Sequence, residues 1–153
     1  MSASLLGLSF DPVWALSCNA AAQVLVSSLL GTLMLIPMQP WGRKLAPKLN
    51  MRALLSTHLD WYMLAFMQWG AAFMMDRWPQ LRSADVAALL MFGGWVNALP
   101  YLVRGFGLNA FVMGGGLLHR TAAAIAGVSV AAILAAWGVL LWGMWGLSST
   151  LGH

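Results

Sequence analysis

The sequence predicts an all-α integral membrane protein, folded as a single transmembrane domain over residues 1–153 and built as a four-helix bundle. Three observations carry this prediction. Of the 153 residues 61% are hydrophobic and only 8% charged, with a mean hydropathy of +0.78, well outside the usage of a soluble domain. Four apolar runs are each close to the roughly 20 residues that a helix needs to cross a bilayer. None of them alternates with a two-residue period, which argues against barrel strands.

The runs lie near Val13 to Ile36, Ala53 to Met75, Ala84 to Val103 and Thr121 to Trp145. No basic region precedes the first and no small-residue cleavage site follows it, so it is expected to stay as a helix rather than be removed as a signal peptide. Its residues Asn19, Gln23 and Ser27 recur at steps of four and form a polar stripe that must face protein or water, as helix-to-helix glue or as a pocket wall. Pro37, Pro40 and Pro47 end that run and keep the following loop irregular, and Asp76 with Trp78-Pro79 marks the turn between runs two and three. Pro100 should bend the third helix. Gly105, Gly107 and Gly114 to Gly116 suggest a flexible or re-entrant connection before run four. In that last run Gly127, Ala131 and Ala135 are spaced for close helix packing, and Trp137, Trp142 and Trp145 read as an interfacial belt.

The net charge is +4, and its placement is informative. Arg43, Lys44, Lys48 and Arg52 lie between runs one and two and Arg104 and Arg120 between three and four, against only Arg77 and Arg82 between two and three. By the positive-inside rule the first and third loops are cytoplasmic and both termini face out. Orientation accounts for the basic cluster without nucleic acid. Cys18 is the only cysteine, which excludes an internal disulfide and a CxxCH haem attachment.

His58 stands at the start of the second apolar run. An ionisable side chain at membrane depth is costly and rare, which makes it a candidate for ligating a metal or moving a proton. The plainer alternative is an interfacial histidine bonded to Asp60 or to a backbone carbonyl. Asp60 itself reads as a first-turn acid favoured by the helix dipole, or as a carboxylate orienting the imidazole from a neighbouring helix or subunit. If runs two and three are antiparallel, Tyr101 reaches the same membrane face as His58, with Asn97 one turn deeper. Trp61, Tyr62, Phe66, Trp69, Phe92 and Trp95 supply aromatic surface there, for an apolar cavity or for ordinary packing. His119, at a loop edge, and the terminal His153 are weaker candidates.

Two segments resemble a known family. Thr57-His58-Leu59-Asp60-Trp61-Tyr62-Met63 and Gly94-Trp95-Val96-Asn97-Ala98-Leu99-Pro100-Tyr101 are similar to motifs of the small four-helix membrane proteins of the styrene oxide isomerase type, and the first also resembles hydroxylaminobenzene mutase. The resemblance implies a haem-dependent intramolecular isomerase of the bacterial inner membrane, a homotrimer with ferric haem b at subunit interfaces and the site toward the cytoplasm. His58 would be the axial iron ligand. Tyr101, with Asn97, would position the oxygen of a small apolar aryl epoxide, and Trp61, Tyr62, Leu64, Phe66 and Trp95 would line the pocket. Ring opening by the Lewis-acidic iron and a 1,2-hydride shift would yield an aldehyde. The sequence departs from the family at Leu64 and Ala65, where an asparagine and a glycine are expected, and this bears on substrate identity. Other readings are an aryl hydroxylamine mutase on the same haem, an electron-transfer protein with haem held by His58 and His119, and a structural membrane protein with no cofactor.

Overall fold

A computed structural model of the chain describes residues 4–5, 8–109, 111 and 116–151. After a two-residue antiparallel pairing of β1 (Ser4–Leu5) with β2 (Leu8–Ser9), the described chain is helical: α1 (Pro12–Leu33), α2 (Met51–Arg77), α3 (Ala84–Val96), α4 (Leu99–Gly105) and α5 (Leu117–Leu151). Three stretches, Pro12–Met38, Ala84–Gly105 and His119–Ser149, are long and apolar enough to cross a membrane. The second helix, α2, has 27 residues, a length of about 40 Å at 1.5 Å per residue, but it is the more polar one, carrying His58, Asp60 and Gln68.

The helix ends follow from local chemistry. Asp11 caps α1 by accepting from the Val13 amide at 2.9 Å, with Pro12 in the first turn, where its missing N–H has no partner to lose. Asn50 caps α2 and Ser83 caps α3 in the same way. Proline accounts for two of the stops. Its ring clashes with the carbonyl four residues back and it lacks the donor to bond it. Accordingly α1 ends at Leu33, four residues before Pro37, and α3 ends at Val96, four before Pro100. The third predicted helix is therefore two: Asn97 and Ala98 interrupt it, and Tyr101 turns back onto the Ala98 carbonyl at 3.1 Å. The last helix, predicted for 121–145, is longer at both ends. The basic loop, expected to be irregular, contains short 3-10 turns at Ile36–Met38 and Arg43–Lys48. Of the glycines expected to loosen the third loop, Gly107 has a left-handed φ of 97°, while Gly114 and Gly115 lie outside the described residues.

Packing divides the bundle into three levels. At one end Leu16 of α1, Ala71, Ala72 and Met75 of α2, Val86, Ala87 and Leu90 of α3, and Ala136 and Leu140 of α5 form the apolar core. At mid-height the polar stripe of α1 is buried in a hydrogen-bonded network. Asn19 Nδ2 donates to Gln68 Oε1 at 2.6 Å, Gln68 Nε2 to Gln23 Oε1 at 2.7 Å and Gln23 Nε2 to the Gly94 carbonyl at 2.5 Å, while Trp95 Nε1 donates to Asn19 Oδ1 at 3.0 Å. The stripe thus acts as glue among α1, α2 and α3, as expected where lipid offers no competing partner. The third level, toward the C-terminal end of α1 and the start of α2, holds His58. There the Asn50 amide donates to the Gly105 carbonyl at 2.8 Å, joining the start of α2 to the end of α4.

Within the chain the small-residue face expected to pack is not the one that does. Gly127, Ala131 and Ala135 are exposed, and nothing lies within 4 Å of a Cβ placed on Gly127. Instead Ser129, Ala132, Ala136 and Leu140 turn inward, with Gly93 of α3 close against Ser129 and Ile133. Two small-residue stripes coexist on α5, and the one that also continues into the Leu140 core is the one buried.

Candidate functional site

Helical periodicity sets the site out along two facing ridges. Along α2, His58, Tyr62 and Phe66 recur at steps of four and share one face. On α1 the Asn19, Gln23, Ser27 series reaches His58 at its last member and continues at the next step to Gly31.

Ser27 makes three contacts with the half-buried His58, two of them to its imidazole. The Ser27 hydroxyl donates to the His58 backbone carbonyl at 2.6 Å. His58 Nδ1 lies 2.7 Å from the Ser27 carbonyl oxygen and 3.1 Å from Ser27 Oγ. A carbonyl can only accept, and the one hydroxyl proton of Ser27 is already given to His58 O. Both neighbours of Nδ1 are therefore acceptors, which in the neutral imidazole assigns the ring proton to Nδ1 and leaves the lone pair on Nε2. Nε2 has no hydrogen-bond partner among the described residues. A backbone carbonyl on Nδ1 and an open Nε2 is the arrangement that orients a histidine for ligation. Asp60 does not supply it, since its carboxylate makes no hydrogen bond or ion pair among the described residues.

Tyr62 stands edge-on to His58, ring centroids 5.0 Å apart and planes at 89°. Its hydroxyl is 2.6 Å from Ser28 Oγ, which lies 2.8 Å from the Val24 carbonyl. Because Ser28 spends its proton on that carbonyl, Tyr62 is the donor. Phe66 stacks beyond Tyr62 at 6.5 Å and meets Trp69 at 5.7 Å. Trp61 and Leu64 are buried. The Trp61 ring meets Trp95 edge-on at 5.7 Å, and its Nε1 donates to the Trp95 carbonyl at 3.2 Å. The five residues expected to line a pocket therefore divide: Tyr62 is beside His58 with Phe66 beyond it on the same ridge, Trp61 and Trp95 meet at the α2–α3 contact, and Leu64 is buried. Phe92 is exposed.

Tyr101 packs its ring on Phe111 at 4.6 Å, and Asn97 sits at the C-terminal cap of α3. Neither has a hydrogen bond or ring contact with His58 among the described residues. The guanidinium of Arg104 lies 6.0 Å over the Phe111 ring. His119 begins α5 with its amide bonded to the Gly116 carbonyl at 3.1 Å, and His153 lies outside the described residues. An apolar cavity of about 170 Å³ opens between the end of α1 and the start of α2, lined by Leu30, Met34 and Leu54 among others. Among the described residues no three His, Cys, Asp or Glu side chains cluster as a metal-binding group.

Of the two partners the sequence offered His58 under its plainer reading, the structure finds the backbone carbonyl, that of Ser27, and not Asp60; Gly31 and Ser28 were missed. Extending the polar stripe by one more step would have found Gly31. No sequence signal marks which residue's carbonyl partners an imidazole. The chain matches no family model, no curated protein and no solved structure.

Proposed function

We propose that this chain is a four-helix membrane haem protein, α2 spanning the bilayer with the other three apolar segments, and that it isomerises a small aryl epoxide to an aldehyde. The observation that carries the reading is the environment of His58: Nδ1 lies against two acceptors of Ser27, and Nε2 has no hydrogen-bond partner among the described residues, which leaves it as the nitrogen to bind iron. The donor set fits a haem. His58 would hold the group, a single imidazole being enough for a metal that a macrocycle already carries.

When bound, ferric haem b supplies a Lewis acid that polarises the epoxide oxygen for ring opening and a 1,2-hydride shift. The protein's own part is modest. His58 holds the group, and the Ser27 carbonyl fixes the imidazole's tautomer and raises its basicity. Tyr101, with Asn97, orients the substrate oxygen by hydrogen bonding. Tyr62 and Phe66 would supply apolar surface that keeps water from the epoxide, with Trp61, Trp95 and Leu64 supporting that wall from within the bundle. An apolar epoxide partitions into lipid, which gives the membrane location a chemical purpose. The remaining proposals are a homotrimer and a bacterial inner-membrane location with the basic loops, and with them the site, toward the cytoplasm.

The test is an absorption spectrum of detergent-purified protein from haem-replete cells, with product analysis on styrene oxide. A Soret band that His58→Ala abolishes, together with aldehyde formation, is expected. A colourless wild-type preparation refutes the reading.

A further inference from the structure

We propose that Gly31 is a positioning residue for His58, the missing side chain being the space in which the imidazole is held with Nε2 presented. The proposal rests on the functional reading only for what Nε2 then binds.

A Cβ placed on Gly31 would lie 2.6 Å from His58 Cε1, 3.0 Å from Nδ1 and 3.2 Å from Nε2. The nearest atom is the ring carbon between the two nitrogens, so the α1 backbone runs directly against the edge of the imidazole that carries both functional atoms. Real Cβ atoms essentially never approach within 3.0 Å, so either the ring or the α1 backbone would have to shift, and the side chain is the softer of the two. Its movement is restricted elsewhere. Tyr62 stands across it at 5.0 Å with its hydroxyl tied to Ser28, and Nδ1 is tied to Ser27 at 2.7 Å. A ring displaced from Gly31 therefore gives up the bond that sets its tautomer. Backbone conformation does not call for glycine at this position, because Gly107 is the one positive-φ glycine among the described residues. Glycine inside a helix is disfavoured relative to alanine, and here it accompanies a clearance occupied by one identified ring.

The test compares wild type, Gly31→Ala and a control, Gly127→Ala, whose added Cβ meets nothing within 4 Å. In haem-free protein in nanodiscs, the ¹⁵N resonances of His58 report the tautomer. Wild type and Gly127→Ala should show protonated Nδ1 and unprotonated Nε2, and Gly31→Ala should lose that pattern. Affinity for added ferric haem should fall about tenfold or more in Gly31→Ala, the usual effect of disturbing the partner that orients a metal-binding histidine. Unfolding in detergent closes a double-mutant cycle: Gly31→Ala should destabilise the wild-type background and not the His58→Ala background, where the ring is absent. An unchanged tautomer pattern in Gly31→Ala, or equal destabilisation in both backgrounds, overturns the proposal. If wild type binds no haem but the tautomer and the cycle behave as stated, the haem reading fails and the positioning role of Gly31 stands.

Discussion

Replacing Gln68 by methionine tests the account of what joins α1, α2 and α3. The two side chains are similar in length and volume, so the change removes polarity with little loss of packing. Gln68 is 1% exposed and makes two side-chain bonds, accepting from Asn19 at 2.6 Å and donating to Gln23 at 2.7 Å. The substitution leaves Asn19 Nδ2 and Gln23 Oε1 without partners inside the bundle, whereas Asn19 Oδ1 keeps Trp95 and Gln23 Nε2 keeps the Gly94 carbonyl. Hydrogen bonds between membrane helices average about 0.6 kcal/mol and reach about 1.7, because the separated helices also find partners. Two lost bonds thus amount to between about 1 and 3 kcal/mol. The assay is reversible unfolding in mixed detergent, followed by circular dichroism, with the exposed Gln80→Met as control. A coupling measurement with Gln23→Met should give a non-additive pair, since the two amides share a bond. If Gln68→Met matched wild type in stability, or raised it, the network would be incidental to the fold.

Two further outcomes follow from the same geometry. Ser27→Ala removes the hydroxyl but keeps the carbonyl that holds Nδ1, so haem content should stay within about twofold of wild type while stability falls by about 0.6 to 1.7 kcal/mol for the lost bond to His58 O; absorbance and detergent unfolding read the two effects separately. The Arg82–Asp76 pair, 3.5 Å apart with both side chains well exposed, should contribute little, so Asp76→Asn should shift stability by less than about 0.5 kcal/mol in the same unfolding assay, and less still at high salt.

Much of this molecule could be read before its structure. Composition alone required an apolar surrounding, because a chain with 61% hydrophobic residues and so few charges cannot hide that surface in a core of its own. Pro37 and the Trp78-Pro79 pair marked the ends of helices, since loss of the proline N–H acts locally whatever the neighbours do, whereas Pro100, expected only to bend a helix, divides it into α3 and α4. The Asn19, Gln23, Ser27 stripe announced a face that had to be satisfied, and His58 stood out because an imidazole is expensive at membrane depth. Each of these is a property of one segment.

Tertiary structure decided which faces meet. On α5 the Gly127, Ala131, Ala135 stripe and the Ser129, Ala132, Ala136 stripe are equally plausible packing surfaces in sequence. Only the second points at α3, where Gly93 admits it. Among the aromatics, Trp61 turned inward to Trp95 while Tyr62, its chain neighbour, turned outward to His58 and Ser28, and Tyr101 packed on Phe111. The partner of His58 Nδ1 proved to be a main-chain carbonyl, a group every residue possesses and no sequence can single out. The physical reason is common to all three cases: periodicity defines the faces of a helix, but lipid is as apolar as the side chains it surrounds. Hydropathy therefore does not distinguish a lipid-facing surface from a packed one. Only the fit of one backbone against another, at Gly31 and Gly93 above all, selects the pairing.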